Sequence, residues 1–384
     1  MENKKSAKIK QPSPRIKEIK FMLNRIAKSP LSLLGTAIIL FFVLVAVLSP
    51  ILAPPGPSWD LNYVPGAPVN PFIIPRARYK EEPLPPSPQH PFGLTTNGFD
   101  IYYGCIWGTV TAFRVGIYVV ALSLLIGISI GLVAGYYGGI VDEILMRFTD
   151  IIIVFPGLIL AMAFALAVPS TLGITLKFIM PIIAAITIIF TLIKALSKEK
   201  SQSWIIIGIV ALISLVLSVM LYMGYMSDVT LLSLSLTKLD RVLIALVLVG
   251  WPGYARVIRG EVLRVRTEDY VEAAKAAGCS DFRIITRHIL PNSVYPILIL
   301  ASLDIGSVVL AAAALSFLGI GAELNFADWG QLVQRAQDHM MGTQLIQYWY
   351  IWLIPGAFIF IFSLGWNLLG DAVRDIFDPT LRRR

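Results

Sequence analysis

Charge, cysteine and histidine are all scarce in this chain: of its 384 residues 15% are charged, 2 are cysteine and 3 are histidine. Two cysteines cannot build a zinc site, and Cys105 and Cys279 fall near opposite faces of the topology deduced below, which excludes a disulfide between them. The histidines cannot converge either, because His90 and His339 belong to the outer side of that topology and His288 to the inner. No G-x-x-x-x-G-K-[ST] phosphate loop occurs, which excludes the usual ATP cradle, and neither HExxH nor a Ser/His/Asp or His/Cys set stands at catalytic spacing. The sequence offers no catalytic residue, no metal ligand set and no cofactor bound by the chain itself.

Apolar residues are what it does have. They make up 56% of the chain, and a mean hydropathy of +0.74 belongs to polytopic membrane proteins rather than to a soluble core. Runs of about 18 or more apolar residues, enough for a helix to cross the hydrocarbon layer, recur along the sequence. They are too long and too evenly apolar for barrel strands, so the expected fold is an all-α membrane bundle. The net charge of +8 would suit nucleic acid, but the lysines and arginines flank the apolar runs, a placement the positive-inside rule already explains.

Residues 1–30 are a basic tail placed in the cytoplasm, with nine Lys or Arg against Glu2 and Glu18. Residues 31–52 form a first helix that ends in Ser49-Pro50 without a small-residue cleavage pattern and is read as retained. The Pro- and Gly-rich stretch 53–110 is external. A second helix, about Arg114 to Gly135, carries Ser123, Gly127, Gly131 and Gly135 at intervals of four, a face on which another helix can approach closely. That face is either ordinary helix packing or a lining of a path through the bundle. After an inner turn at Tyr136 to Glu143, a third helix runs from about Leu145 to Val168, kinked or interrupted at Phe155-Pro156-Gly157.

Two further apolar runs, about Ile174 to Ile193 and Trp204 to Met226, lie within 169–238, with Lys194, Lys198 and Lys200 in the turn between them. The next helix, about Arg241 to Tyr254, leads into a charged inner loop at 255–292. Beyond it come a helix from about Val294 to Leu318 with Asp304 near its middle, an outer loop, a final helix from about Tyr348 to Leu369, and an inner tail at 370–384. The transmembrane body is 111–369. The count reaches eight spans with both termini cytoplasmic, and even parity agrees with the charge distribution. Asp304 costs about 3 kcal/mol at that depth even on a mild insertion scale, so it should face protein or water.

The loop is the most informative stretch. Thr267 is the expected N-cap, with Glu268 and Asp269 in the first turn where the helix dipole favours anions. A short helix should then run to about Ala277, with Tyr270, Ala273, Ala274 and Ala277 on one smooth face that has little side-chain entropy to lose on docking. Gly278 permits a backbone conformation other residues resist, Ser280 and Asp281 open a second helix, and Pro291 helps to end it. Any one of these features is compatible with an inert amphipathic loop. Their joint spacing, Glu272-Ala273-Ala274, then Gly278, then Leu290-Pro291, resembles the EAA loop of permease subunits of ATP-driven importers.

Other stretches resemble the same family, closest to the C-type permease subunit of dipeptide and oligopeptide importers. They are His90-Pro91-Phe92-Gly93 through Asp100, Trp251-Pro252-Gly253-Tyr254-Ala255-Arg256, Leu315 to Gly321, and Asn367-Leu368-Leu369-Gly370-Asp371. Within the first, Leu94, Thr95 and Phe99 stand where that family usually has Thr, Asp and Arg. The pair of helices within 169–238 looks like an insertion relative to it. Relatives commonly have Glu where this chain has Ala312, and Asp304 is offered as its replacement, in the translocation path or a helix interface.

The resemblance implies the type I importer transmembrane fold and a plasma-membrane complex. Its other members would be a second permease subunit, two ATPase subunits carrying ATP and Mg, and an extracytoplasmic substrate-binding protein. Closure of the ATPases would move the 267–291 loop and rock the helices between inward and outward access. The cargo would be di- or oligopeptides, with oligosaccharides or nickel as alternatives. An ion-coupled secondary transporter is the other class, but it would need several coupling-ion groups or inverted repeats, and the sequence shows a lone Asp304.

Overall fold

The computed structural model describes residues 29–80, 82–175 and 230–377. The basic tail, the extreme C-terminus and nearly all of the two inserted helices expected at 174–226 lie outside the described residues.

Helix α1 (Pro30–Leu52) opens on Ser29, whose hydroxyl accepts a 3.3 Å bond from the Ser32 amide, with Pro30 pre-set for the first helical position. Helix α2 (Ile101–Tyr137) starts well before Arg114, thirteen residues earlier than the helix expected there. The reason is local: Asp100 accepts the Tyr103 amide at 2.7 Å and caps the helix. The first turns then carry an aromatic cluster buried in the outer cap rather than a lipid-facing run. The expected inner turn from Tyr136 to Glu143 shrinks to Gly138, which at φ +67° separates α2 from α3 (Gly139–Val154). The third span is not one helix, because α3 and α4 (Gly157–Ala167) meet at 96° across Phe155-Pro156. Pro156 has no amide to continue the ladder and holds Phe155 extended.

Strands β1 (Thr171–Thr175) and β2 (Thr230–Ser235) pair antiparallel, with Thr171 opposite Ser235. These short strands are a departure from an otherwise helical chain. They belong to a unit, 169–237, that clusters separately from the remainder and nearly coincides with the expected insertion.

Helix α5 (Lys238–Val265) continues eleven residues past Tyr254, so 255–265 is helix and the loop itself begins at Arg266. The loop carries α6 (Asp269–Ala276), α7 (Asp281–Ile284), a π turn at Ile285–Ile289 and α8 (Leu290–Ser293). Helix α9 (Tyr295–Phe317) runs back along the body, and α10 (Trp329–Gln334) and α11 (Gln344–Gln347) lie in the loop that follows it. Helix α12 (Trp349–Phe377) runs eight residues beyond Leu369.

Five described helices, α1, α2, α5, α9 and α12, are long and apolar enough to cross a membrane, and the bent pair α3–α4 makes a sixth if taken as one span. Within this body α2 packs chiefly on α5, α9 touches both, and α12 lies on α9 and α1. Exposed leucines, isoleucines and phenylalanines along α1 and α3 form the lipid-compatible exterior.

The outer cap is fastened to α2. His90 Nδ1 and Asp100 Oδ2 are 2.7 Å apart in a buried pair, and Trp107 donates to the Ala53 carbonyl at 2.9 Å. The Phe99 ring stands close to two guanidinium groups, with Arg335 at 4.0 Å and Arg76 at 5.1 Å from its centroid. Burial and the neighbouring Arg76 pull the Arg335 guanidinium down to about 10.

Candidate functional site

The inner loop is built on its connection to α2. Arg266 donates to the Gly135 carbonyl at 2.9 Å and reaches the Tyr136 carbonyl at 3.4 Å, satisfying carbonyls at the C-terminal end of that helix. Tyr136 in turn donates to Asp281 at 2.6 Å, and Lys275 lies 5.8 Å from its ring. The loop is clasped to α2 at both ends of α6.

Glu268, not Thr267, occupies the N-cap of α6, because Thr267 spends its hydroxyl on the Arg264 carbonyl at 2.9 Å. The expected smooth face also divides. Val271 and Ala274 turn inward against Val265, Ile284 and Ile289, while Glu272 and Ala273 remain exposed beside Tyr270 and Ala277. The period of α6 explains this, since residues three apart at 271 and 274 share the stripe that faces the body.

At its end Gly278 takes φ +74°, its amide bonding Lys275 O at 2.9 Å, and Cys279 bonds Ala274 O at 3.1 Å. That is a Schellman closure, and it uses glycine's freedom at positive φ. Ser280 stands at the N-cap of α7 without bonding through its side chain, and Asp281 is engaged with Tyr136. Pro291 does not end the segment: the chain stays helical through Leu290 and Pro291 to Ser293. The π turn ahead of it, in which the Leu290 amide reaches back to Ile285 O, widens the helix where the proline ring and missing amide would disturb regular bonding. Phe282, at 78% exposure, is the most prominent apolar group on this surface.

The small-residue face of α2 meets α5 directly. A side chain at Gly127 would collide with Tyr254 Cβ and the Trp251 carbonyl, one at Gly131 with the Ala255 carbonyl, and one at Gly135 with Val262. Above Gly127, Tyr254 points across to α9, where its hydroxyl faces the Asp304 carboxyl without well-formed hydrogen-bond geometry. Ser307 donates to the Asp304 backbone carbonyl at 2.9 Å. Two bridges tie α3 to α5, Arg259 with both oxygens of Asp142 at 2.5 Å and Arg256 with Asp150 at 2.6 Å.

Gly127 and Asp304 are therefore brought to one place through Tyr254. The inner loop is at another, linked to it along α2. Sequence reading did not anticipate Arg266, Tyr136, Phe282 or Tyr254 as parts of these sites. Tyr254 had a signal, its position in the Trp251 to Arg256 stretch. The Arg266 clasp had none, because a side chain bonding a distant carbonyl leaves no spacing to read.

A family model described as "Binding-protein-dependent transport system inner membrane component" matches residues 127–383. The chain is 31% identical over 352 residues to a probable D,D-dipeptide transport system permease protein of Escherichia coli strain K12, covering 91% of this chain and 88% of that one. It is 28% identical over 359 residues to a dipeptide transport system permease protein of Alkalihalophilus pseudofirmus, covering 94% and 89%. A crystal structure of an amino acid ABC transporter with histidines aligns at a TM-score of 0.40 and 14% identity, covering 73% of this chain and 94% of that one.

Proposed function

Because the chain belongs to the family of binding-protein-dependent transport system inner membrane components, we propose that it moves di- or oligopeptides and is driven through its 267–291 loop. It is an integral inner-membrane subunit of such an importer. In this reading it supplies half of the translocation path, beside a second permease subunit. Two ATPase chains that hold ATP and Mg dock on the loop, and an extracytoplasmic binding protein delivers cargo to the outer cap. Both termini are cytoplasmic, as the basic tail favours. The peptide cargo is supported by the names of the relatives, which include dipeptide permeases.

The observation that carries the coupling role is the combination of an exposed Glu272, Ala273 and Phe282 surface with the Arg266 and Tyr136 clasp to α2. Exposed small residues let a partner approach closely, an exposed aromatic supplies an anchor, and the clasp passes displacement to a membrane helix. Ala273 points to solvent, so a larger residue there spares the fold while obstructing the partner. In the assembled complex, Ala273→Arg is expected to reduce ATPase chains retained on affinity-purified permease by about tenfold, or roughly 1.4 kcal/mol. The second permease should stay bound. Unchanged ATPase retention would remove the loop from the interface.

A further inference from the structure

Asp304 stands near the middle of the 23-residue α9, at a depth where an uncompensated carboxylate is costly. The arginines on the inner half of α5 and just beyond it are already engaged: Arg256 with Asp150 at 2.6 Å, Arg259 with Asp142 at 2.5 Å, Arg264 with Glu261 at 2.7 Å, and Arg266 with carbonyls of α2. No ion pair to Asp304 occurs among the described residues. Its polar neighbour across the helix interface is Tyr254, which is 2% exposed and whose hydroxyl finds no well-formed bond elsewhere.

Asp304 is also reachable. It is only half-buried and lies on α9 between the packed side that holds Ile297 and Leu315 and the open side that holds Ser307 and Leu310. Ser307 donates to the Asp304 backbone carbonyl at 2.9 Å and its hydroxyl also stands beside the carboxyl, but a neutral hydroxyl does not cancel the carboxylate's charge. A permanent counter-ion would form a closed pair that is hard to separate in a low dielectric. A carboxylate backed only by neutral hydroxyls and open on one side suits a cation that arrives and leaves.

We infer that Asp304 and Tyr254 form a mid-membrane station on the translocation path that holds the protonated amine of passing cargo. The inference rests on the importer reading and supplies it with a cargo-facing site. The amine comes from a peptide amino terminus or a lysine side chain, and Tyr254 faces the carboxylate from α5.

The test uses the purified complex with its partner permease, ATPases and binding protein. Cysteine at Ser307, one turn from Asp304, is probed with a cationic ethylammonium and an anionic sulfonatoethyl methanethiosulfonate, and the rates with Ser307 intact are subtracted as background. In Ser307→Cys the ratio of cationic to anionic rate should fall by about tenfold when Asp304→Asn is added, since a fixed charge in a low-dielectric cleft concentrates counter-ions by at least that factor. Asp304→Glu should restore it. Trialanine slowing the cationic reagent would assign the site to amino termini; N-acetyl-alanyl-lysine doing so would assign it to side chains. A ratio unmoved by Asp304→Asn, or a cysteine inert to both reagents, overturns the site. Failure of both peptides to slow the reaction overturns the cargo assignment and leaves a cation of the second permease as the partner. Loss of ATPase chains from the complex would be a failure of the importer reading, and it is scored separately.

Discussion

At the scale of residues, the fold alters the chemistry of Asp328 in the 319–348 loop. It caps α10 by accepting the Gly330 amide at 2.8 Å, takes a short bond from Ser316 Oγ, and borders a cavity of about 20 Å³ with Thr111, Leu239 and Trp329. That is room for about one water molecule. Burial raises its pKa above the ordinary 3.8 despite those bonds. The folded state then holds the proton more tightly than the unfolded one, so the contribution to stability is full below that value and is lost as pH rises through the folded pKa. The thermal midpoint of the native chain minus that of Asp328→Asn should therefore shrink as detergent samples are taken upward from about pH 4. A difference that grows with pH would reverse the sign. No sequence signal predicted this, since only the fold brings α2, α5, α9 and α10 around one carboxylate.

At the scale of elements, the α2–α5 interface gives a contrast between glycines. A methyl group at Gly131 would lie 2.5 Å from the Ala255 carbonyl and 3.1 Å from the Arg259 amide, backbone atoms that cannot yield, whereas one at Gly253 meets nothing within 4 Å. Gly131→Ala is expected to destabilise by about 1–3 kcal/mol through overpacking. Gly253→Ala should be neutral or stabilise by about 0.5–1 kcal/mol, because alanine loses less backbone entropy in a helix. Thermal unfolding of the two variants in detergent checks the opposite signs. The interval of four from Ser123 to Gly135 made that face legible in the sequence, and apolar runs located the described spans. Pro156 marked a break, but the 96° turn is set by what α3 and α4 pack against, including the distant pairs Arg259–Asp142 and Arg256–Asp150. In the loop, Gly278 was readable from its residue type, whereas the inward turn of Ala274 depended on Ile284 and Ile289 arriving beneath it.

At the scale of the whole molecule, the 169–237 unit leaves and rejoins the chain at adjacent points, for Leu236 donates to the Ser170 carbonyl at 2.7 Å and β1 pairs with β2 in register up to Ile174. Replacing residues 176–229 with Asn-Gly would close those strands as a two-residue hairpin. Membrane insertion and co-purification with the second permease should survive the replacement; loss of either would give the removed residues a part in assembly. The rest of the body contains one very long strut. Its 37 residues make α2 about 55 Å long, so a tilt of about 5° at the end gripped by Arg266 sweeps the other by about 5 Å. At that far end sit Asp100 and His90, which hold the cap. A small rotation at the end gripped by Arg266 is thereby converted, along a single helix, into a displacement as wide as a peptide backbone at the end that carries Asp100.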